Sequence, residues 1–201
     1  MKKHELSSFF QSLDATEQHE ASLRKGKIRN RYIQSHGLLR QILGRSLQKS
    51  PEEIAYVRNS YGKPALKEGE VLFNMSHSEN LTMIGLSDRL SIGIDVQRHI
   101  PIDNIEAIAD EIFSNDERLL LKSFPAELRN DEFFNIWVRK EALLKCLGVG
   151  LASNPQSLGV LPQGGRFAVA MTTNHVRLPY RIYYGVVRGF FSWSVVFTSY
   201  Q

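Results

Sequence analysis

The chain has 201 residues, with 25 Lys+Arg against 21 Asp+Glu for a formal charge of +4, 42% apolar residues and 23% charged ones. These are the proportions of a soluble globular chain, one domain or two of about 100 residues each, and they exclude disorder, collagen and a disulfide scaffold. The single cysteine, Cys146, makes no internal disulfide and no thiolate-rich zinc site, which points to a reducing cytoplasm; no secretory signal and no run of about 18 apolar residues is present.

Residues 5–23 read as a short helix, with Leu6, Phe9, Phe10 and Leu13 as its apolar positions. Residues 28–44 read as a second helix on Tyr32, Leu39, Ile42 and Leu43, with Gly44 as C-cap. The basic run from Arg24 to Arg31 at its start fits a solvated face, a nucleic-acid patch or a site for phosphates or an acidic partner. Ser50-Pro51-Glu52-Glu53 is a capping box with proline at the first helical position. Strand-like segments follow at 54–58, 71–75, 81–86 and 90–96. Ser87-Asp88-Arg89 punctuates a hairpin between the last two, and the apolar 92–96 segment reads as a central, buried strand.

Beyond Pro101 the pattern turns helical over 102–112. A capping box follows at Ser114-Asn115-Asp116-Glu117, then the strongest helix, 133–147, which Gly148 ends. Strands return at 167–171, 176–187 and 191–197. The order helix, strands, helix, strands predicts an α+β fold of two lobes, 1–100 and 101–201, with antiparallel-rich sheets and a site in the cleft between them.

No GxSxG, HExxH, P-loop or dinucleotide fingerprint occurs, and the six histidines lack metal-ligand spacing. Ser76 and His77 are adjacent on a strand, so their side chains face opposite ways and form no nucleophile pair. Asp95, at the end of the apolar strand, reads either as a turn residue or as a site residue. Trp137, Glu141 and Lys145 share one helical edge, and Glu141 with Lys145 has the favourable order for an ion pair.

Together, Tyr61-Gly62-Lys63-Pro64, Phe73-Asn74-Met75-Ser76-His77-Ser78, Gly93-Ile94-Asp95-Val96, Trp137-Val138-Arg139-Lys140-Glu141-Ala142-Leu143-Leu144-Lys145 and Gly148-Val149-Gly150-Leu151 resemble, in order and spacing, the motifs of the larger, Sfp-type 4′-phosphopantetheinyl transferases. The resemblance covers about residues 20–151. It implies two similar lobes, each a small sheet with a packed helix, related by pseudo-twofold duplication. The implied reaction is Mg²⁺-dependent transfer of 4′-phosphopantetheine from coenzyme A to a serine of an acidic apo acyl or peptidyl carrier protein, releasing adenosine 3′,5′-bisphosphate. The nucleophile then belongs to the partner, and the enzyme is a cytoplasmic monomer with no nucleic-acid or membrane partner.

By the same resemblance Asp95, Glu141 and Lys145 are catalytic. Asp95 and Glu141, one from each lobe, are metal ligands, and Glu141 is also the base. Arg31, Lys63, Ser76 and His77 hold coenzyme A, with Arg31 on the 3′-phosphate. The 1–100 lobe thus carries the coenzyme A contacts and the first metal ligand, and the 101–201 lobe the docking surface for the carrier. That surface is expected over 110–135, on Phe113, Leu119, Leu120, Phe124 and Leu128. The family's GIDxE places an acid where this chain has Gln97; positions 95 and 97 share a strand face, so Gln97 is expected at the metal as a weaker, neutral ligand. Two alternatives are a catalytically weakened member that binds coenzyme A or the carrier, and a nucleic-acid-binding module resting on residues 24–31, which lacks any stacking motif.

Overall fold

The computed structural model describes residues 3–69, 71–151 and 153–198. The chain forms two compact units. The first holds 1–57 and 64–70, and the second holds 58–63 and 71–201. The division does not fall at residue 100, because the strand expected to close the first lobe is built into the sheet of the second unit.

The first unit is mostly helical: α1 (Lys3–Gln11), α2 (Ala15–Ser22) and α3 (Gly26–Leu47). The single helix expected over 5–23 is two helices. Asp14 breaks it by capping α2, accepting the Glu17 backbone N–H at 2.8 Å, while the Glu17 side chain accepts from the Asp14 N–H. Helix α3 runs past Gly44 and ends at Gln48, which takes the left-handed conformation. Leu13, Ala21 and Ile33 form a small core with Phe9, Phe10 and Tyr32 against it.

At the centre of this unit Arg40 is fully buried. Its Nε donates to Glu17 Oε2 and one terminal nitrogen donates to Asp14 Oδ2. The other donates to the carbonyls of Pro51 and Ile54 at 2.8 and 2.9 Å. Pro51–Glu53 is a 3₁₀ turn, capped as its sequence indicates. The strand expected over 54–58 is shorter, β1 (Tyr56–Arg58), and pairs with β2 (Pro64–Leu66).

In the second unit β3 (Leu72–Ser78) and β4 (Leu81–Ser87) form an antiparallel hairpin. Then come β5 (Ile92–Arg98), α4 (Ile105–Ile112), α5 (Asn115–Ser123), α6 (Ala126–Leu147), β6 (Leu158–Pro162), β7 (Phe167–Thr172), β8 (Tyr180–Val187) and β9 (Phe191–Thr198). The last five strands in space run β5-β9-β8-β7-β6, antiparallel throughout.

Ser87-Asp88-Arg89 therefore does not join a paired hairpin, since β5 pairs with β9. Strand β5 is an edge of the five-stranded sheet, not its centre. Its residues 92–96 are nevertheless buried, because α6 covers one face and β3 runs along its open edge. Strand β6 had no distinct signal, and β8 starts four residues later than expected.

Helix α6 presents Ala142, Leu143 and Cys146 to Val160, Ala168, Ala170, Ile182 and Val196 of the sheet. Gly93 is the closest approach: a Cβ there would lie 2.0 Å from the Ala142 carbonyl oxygen and 2.4 Å from the Cys146 nitrogen. That contact sets α6 directly on β5 and is the physical reason for the glycine before Ile94-Asp95. Gly148, with φ 76°, ends α6 as expected.

A second buried clamp sits here. Glu117 and Lys140 are 0% and 1% exposed. Lys140 Nζ meets Glu117 Oε2 at 2.8 Å and donates to the carbonyls of Pro155 and Leu158. Glu117 also accepts the N–H groups of Ser114 (2.7 Å) and Val160 (2.9 Å). Pro155–Ser157 is again a 3₁₀ turn. Among the described residues no helix is long and apolar enough to cross a membrane.

Candidate active site

Two elements of the second unit carry the chemistry. Strand β5 points Asp95 and Gln97 to one side, two residues apart on the pleat. Helix α6 runs over the same strand and offers Trp137, Glu141 and Lys145 along one edge, four residues apart. With Met75, Ser76 and His77 of β3 and Leu151 beyond α6, they line one open cavity of about 420 Å³. Asp95 and Glu141 thus meet within one compact unit, where a cleft between lobes had been expected.

Asp95 is 1% exposed. Its Oδ1 accepts from Ser76 Oγ at 2.7 Å and from Lys145 Nζ at 2.5 Å, while its Oδ2 has no protein partner. Burial pushes this carboxyl above its ordinary value, against the opposing charge and hydrogen bond of Lys145 and the bond from Ser76. Glu141 is also raised, by burial first and then by the charge of Asp95, with Lys145 opposing. Its Oε1 has no partner either. Two acids that disfavour each other, each with an empty oxygen in one cavity, form an electrostatic demand that a single ammonium does not meet.

A hard divalent cation takes carboxylate oxygens and keeps several waters. Asp95 Oδ2 and Glu141 Oε1 fit that requirement. Among the described residues no group of three or more His, Cys, Asp or Glu gathers, so the acid donors number two here. Gln97 borders the same cavity, with Oε1 3.4 Å from Ser78 Oγ.

The remaining predicted residues divide. His77 is exposed and lines the cavity. Ser76 also lines it, but its hydroxyl is committed to Asp95 and to the Val96 N–H. Lys63 does not line it. Its Nζ donates to the carbonyls of Ile92 (3.2 Å) and Cys146 (3.3 Å), bracing the last turn of α6, where carbonyls lack helical partners. Burial lowers its ammonium below the usual range. Arg31 lies half-buried on α3 in the first unit. In the expected docking segment Phe113 is fully buried and Leu120 packs against a core of Phe133, Phe134 and Ile136, whereas Leu119 and Leu128 are exposed. The strand alternation of Asn74, Ser76 and Ser78 signals a set of groups that share one partner, and sequence reading passed over it.

Comparison with known proteins follows the same residues. Residues 91–190, which contain Asp95, Glu141 and Lys145, match the 4′-phosphopantetheinyl transferase superfamily. The 4′-phosphopantetheinyl transferase HetI of Nostoc sp. is 38% identical over 128 residues, covering 62% of this chain and 54% of that protein. The 4′-phosphopantetheinyl transferase ffp of Bacillus subtilis is 32% identical over 140 residues, covering 69% and 61%. The chain spans a little over half the length of these relatives. The solved holo-[acyl-carrier-protein] synthase of Thermotoga maritima overlays 56% of this chain and 66% of its own at 21% identity and a TM-score of 0.43, too partial to bear on function. Through residues 91–190 and the relatives they match, the chain belongs to the 4′-phosphopantetheinyl transferase superfamily.

Proposed function

We propose that the chain moves 4′-phosphopantetheine from coenzyme A to a serine hydroxyl of an apo carrier protein. The observation that carries this reading is the buried carboxylate of Asp95 and the half-buried one of Glu141, each with an unpartnered buried oxygen, both lining one cavity with Lys145. Asp95 Oδ2 and Glu141 Oε1 are the positions for Mg²⁺, which when bound supplies charge neutralisation at the diphosphate.

The chain's own groups do the rest. Lys145 faces the cavity and offsets negative charge on the diphosphate and on the leaving group. The carrier serine oxygen forms a bond to the phosphorus that bears pantetheine, and the bond from that phosphorus to adenosine 3′,5′-bisphosphate breaks. Glu141 accepts the serine proton, directly or through a water. His77, exposed at the rim, and Arg31 remain candidates for the phosphates of coenzyme A, Arg31 for the 3′-phosphate by its fork geometry. Lys63 holds the end of α6 and stays a candidate for a coenzyme A phosphate. The exposed Leu119 and Leu128 are candidates for carrier docking, and the chain's net charge of +4 favours an acidic partner. The unpaired Cys146 fits a reducing, cytoplasmic setting.

We propose also that the halves 1–100 and 101–201 descend from one duplicated element. Two short helices, a 22-residue helix and a 3₁₀ turn occur in each, and Glu17 with Arg40 has the 23-residue spacing of Glu117 with Lys140.

Incubation with coenzyme A, Mg²⁺ and an apo carrier protein is expected to add one phosphopantetheine to the carrier, read by intact mass. Binding of coenzyme A with no mass gain favours the weakened member of the superfamily, for which Gln97 is the specific departure.

A further inference from the structure

Strand β3 runs alongside the edge of β5 that β9 leaves open, and its alternate side chains act there as a neighbouring strand's carbonyls do. Asn74 Oδ1 accepts the Ile94 N–H at 2.7 Å, Ser76 Oγ the Val96 N–H at 3.3 Å and Ser78 Oγ the Arg98 N–H at 3.0 Å. Each serine also bonds the β5 side chain one residue earlier. Ser76 donates to Asp95 Oδ1 at 2.7 Å, and Ser78 donates to Gln97 Oε1 at 3.4 Å. The same two-bond unit repeats with the period of the pleat, so positions 95 and 97 are addressed alike.

The unit decides what each position shows the cavity. A hydroxyl has one proton, and Ser78 uses its proton on the carbonyl oxygen of Gln97. Nε2 of Gln97 donates to no protein atom among the described residues, and Gln97 lines the cavity. An amide nitrogen donates hydrogen bonds and does not coordinate a cation. Asp95, by contrast, gives one oxygen to Ser76 and Lys145 and keeps the other empty.

We infer that Gln97 is a hydrogen-bond donor to an oxygen of the bound diphosphate and not a ligand of the divalent ion, and that Ser78 is the positioning residue that fixes it so. The inference rests on the transferase reading of the cavity. Its logic is electrostatic: two acids already line the site that must admit an anion, and an uncharged donor at position 97 contacts that anion without adding a third negative charge.

Two titrations test it on the intact chain. Mn²⁺, standing in for Mg²⁺, is followed by its free-ion EPR signal without nucleotide, and coenzyme A is followed by calorimetry at saturating Mg²⁺. Gln97→Ala is expected to leave Mn²⁺ affinity within about twofold and to weaken coenzyme A about tenfold. Ser78→Ala is expected to weaken coenzyme A about threefold, and to add nothing to Gln97→Ala in the double variant. Loss of about tenfold in Mn²⁺ affinity in Gln97→Ala, with coenzyme A unaffected, overturns the inference and makes Gln97 a metal ligand. Unchanged coenzyme A affinity in Gln97→Ala also overturns it. A wild-type chain that binds neither probe removes the transferase reading itself, which separates the two failures.

Discussion

Helix α6 brings two lysines to buried carboxylates, and the two encounters end differently. Lys140 has three donors and finds three acceptors: Glu117, Pro155 O and Leu158 O. Glu117 in turn is filled by Ser114 and Val160. Lys145, five residues further on, meets Asp95 and Ser76 and leaves Asp95 Oδ2 and Glu141 Oε1 without a protein partner. A saturated buried network holds a fold in one arrangement, whereas an unsaturated one keeps a cost that a ligand can remove. The first unit repeats the saturated kind with Arg40 on Glu17 and Asp14, so the incomplete network at Asp95 stands apart from both clamps.

The sharpest break of this comparison is Lys140→Met. It strands the Glu117 charge in the interior and is expected to cost about 3–5 kcal/mol, read by urea unfolding. A loss below about 1 kcal/mol would show that Lys140 is not the keystone of its clamp.

Asp95→Asn tests the other side. It keeps the side-chain shape and is expected to lower transfer about a hundredfold or more while unfolding free energy stays within about 1 kcal/mol of wild type. A stability loss as large as that of Lys140→Met would place Asp95 among the structural groups.

Arg40→Lys asks whether the first clamp needs its fork. Four bonds, to Glu17, Asp14, Pro51 and Ile54, then face three donors, with an expected loss of about 1–2 kcal/mol. No change would mean that the two clamps are interchangeable in chemistry as well as position.

The smallest effect is in pH. The carboxyls of Asp95 and Glu141 lie above their ordinary values of 3.8 and 4.5. Their cost is absent at low pH, where both are protonated folded and unfolded. It grows as pH rises through the ordinary values and is complete above the folded ones. Mg²⁺ is therefore expected to raise the melting temperature more at pH 8 than at pH 5, by about 2–4 °C for each kcal/mol recovered. Glu17 behaves oppositely. Burial raises its carboxyl, but His36 and Arg40 more than offset this and hold it below 4.5. Its stabilisation is present above that value and lost as pH falls through the folded one. Equal Mg²⁺ increments at both pH values would detach the cation from the two acids.

Local chemistry made much of this legible in the residues. The capping boxes at Ser50 and Ser114, the stop at Gly148, and the shared edge of Trp137, Glu141 and Lys145 follow from spacing within one helix or turn, where neighbours in sequence are neighbours in space. The ordered motifs added Asp95 to that group and pointed to the superfamily.

What spacing does not contain is which strand a given edge meets. The pairing of β5 with β9, about a hundred residues away, was invisible, and so the expected lobe boundary fell inside a sheet. The same limit hid three partnerships: Lys63 with the end of α6, Ser76 with Asp95, and Phe113 with the core. Each depends on a partner far along the chain, chosen by how apolar faces pack and where buried polar groups find bonds. The residue types were set by the sequence, but the unpartnered oxygens of Asp95 and Glu141 exist only once the fold has buried them.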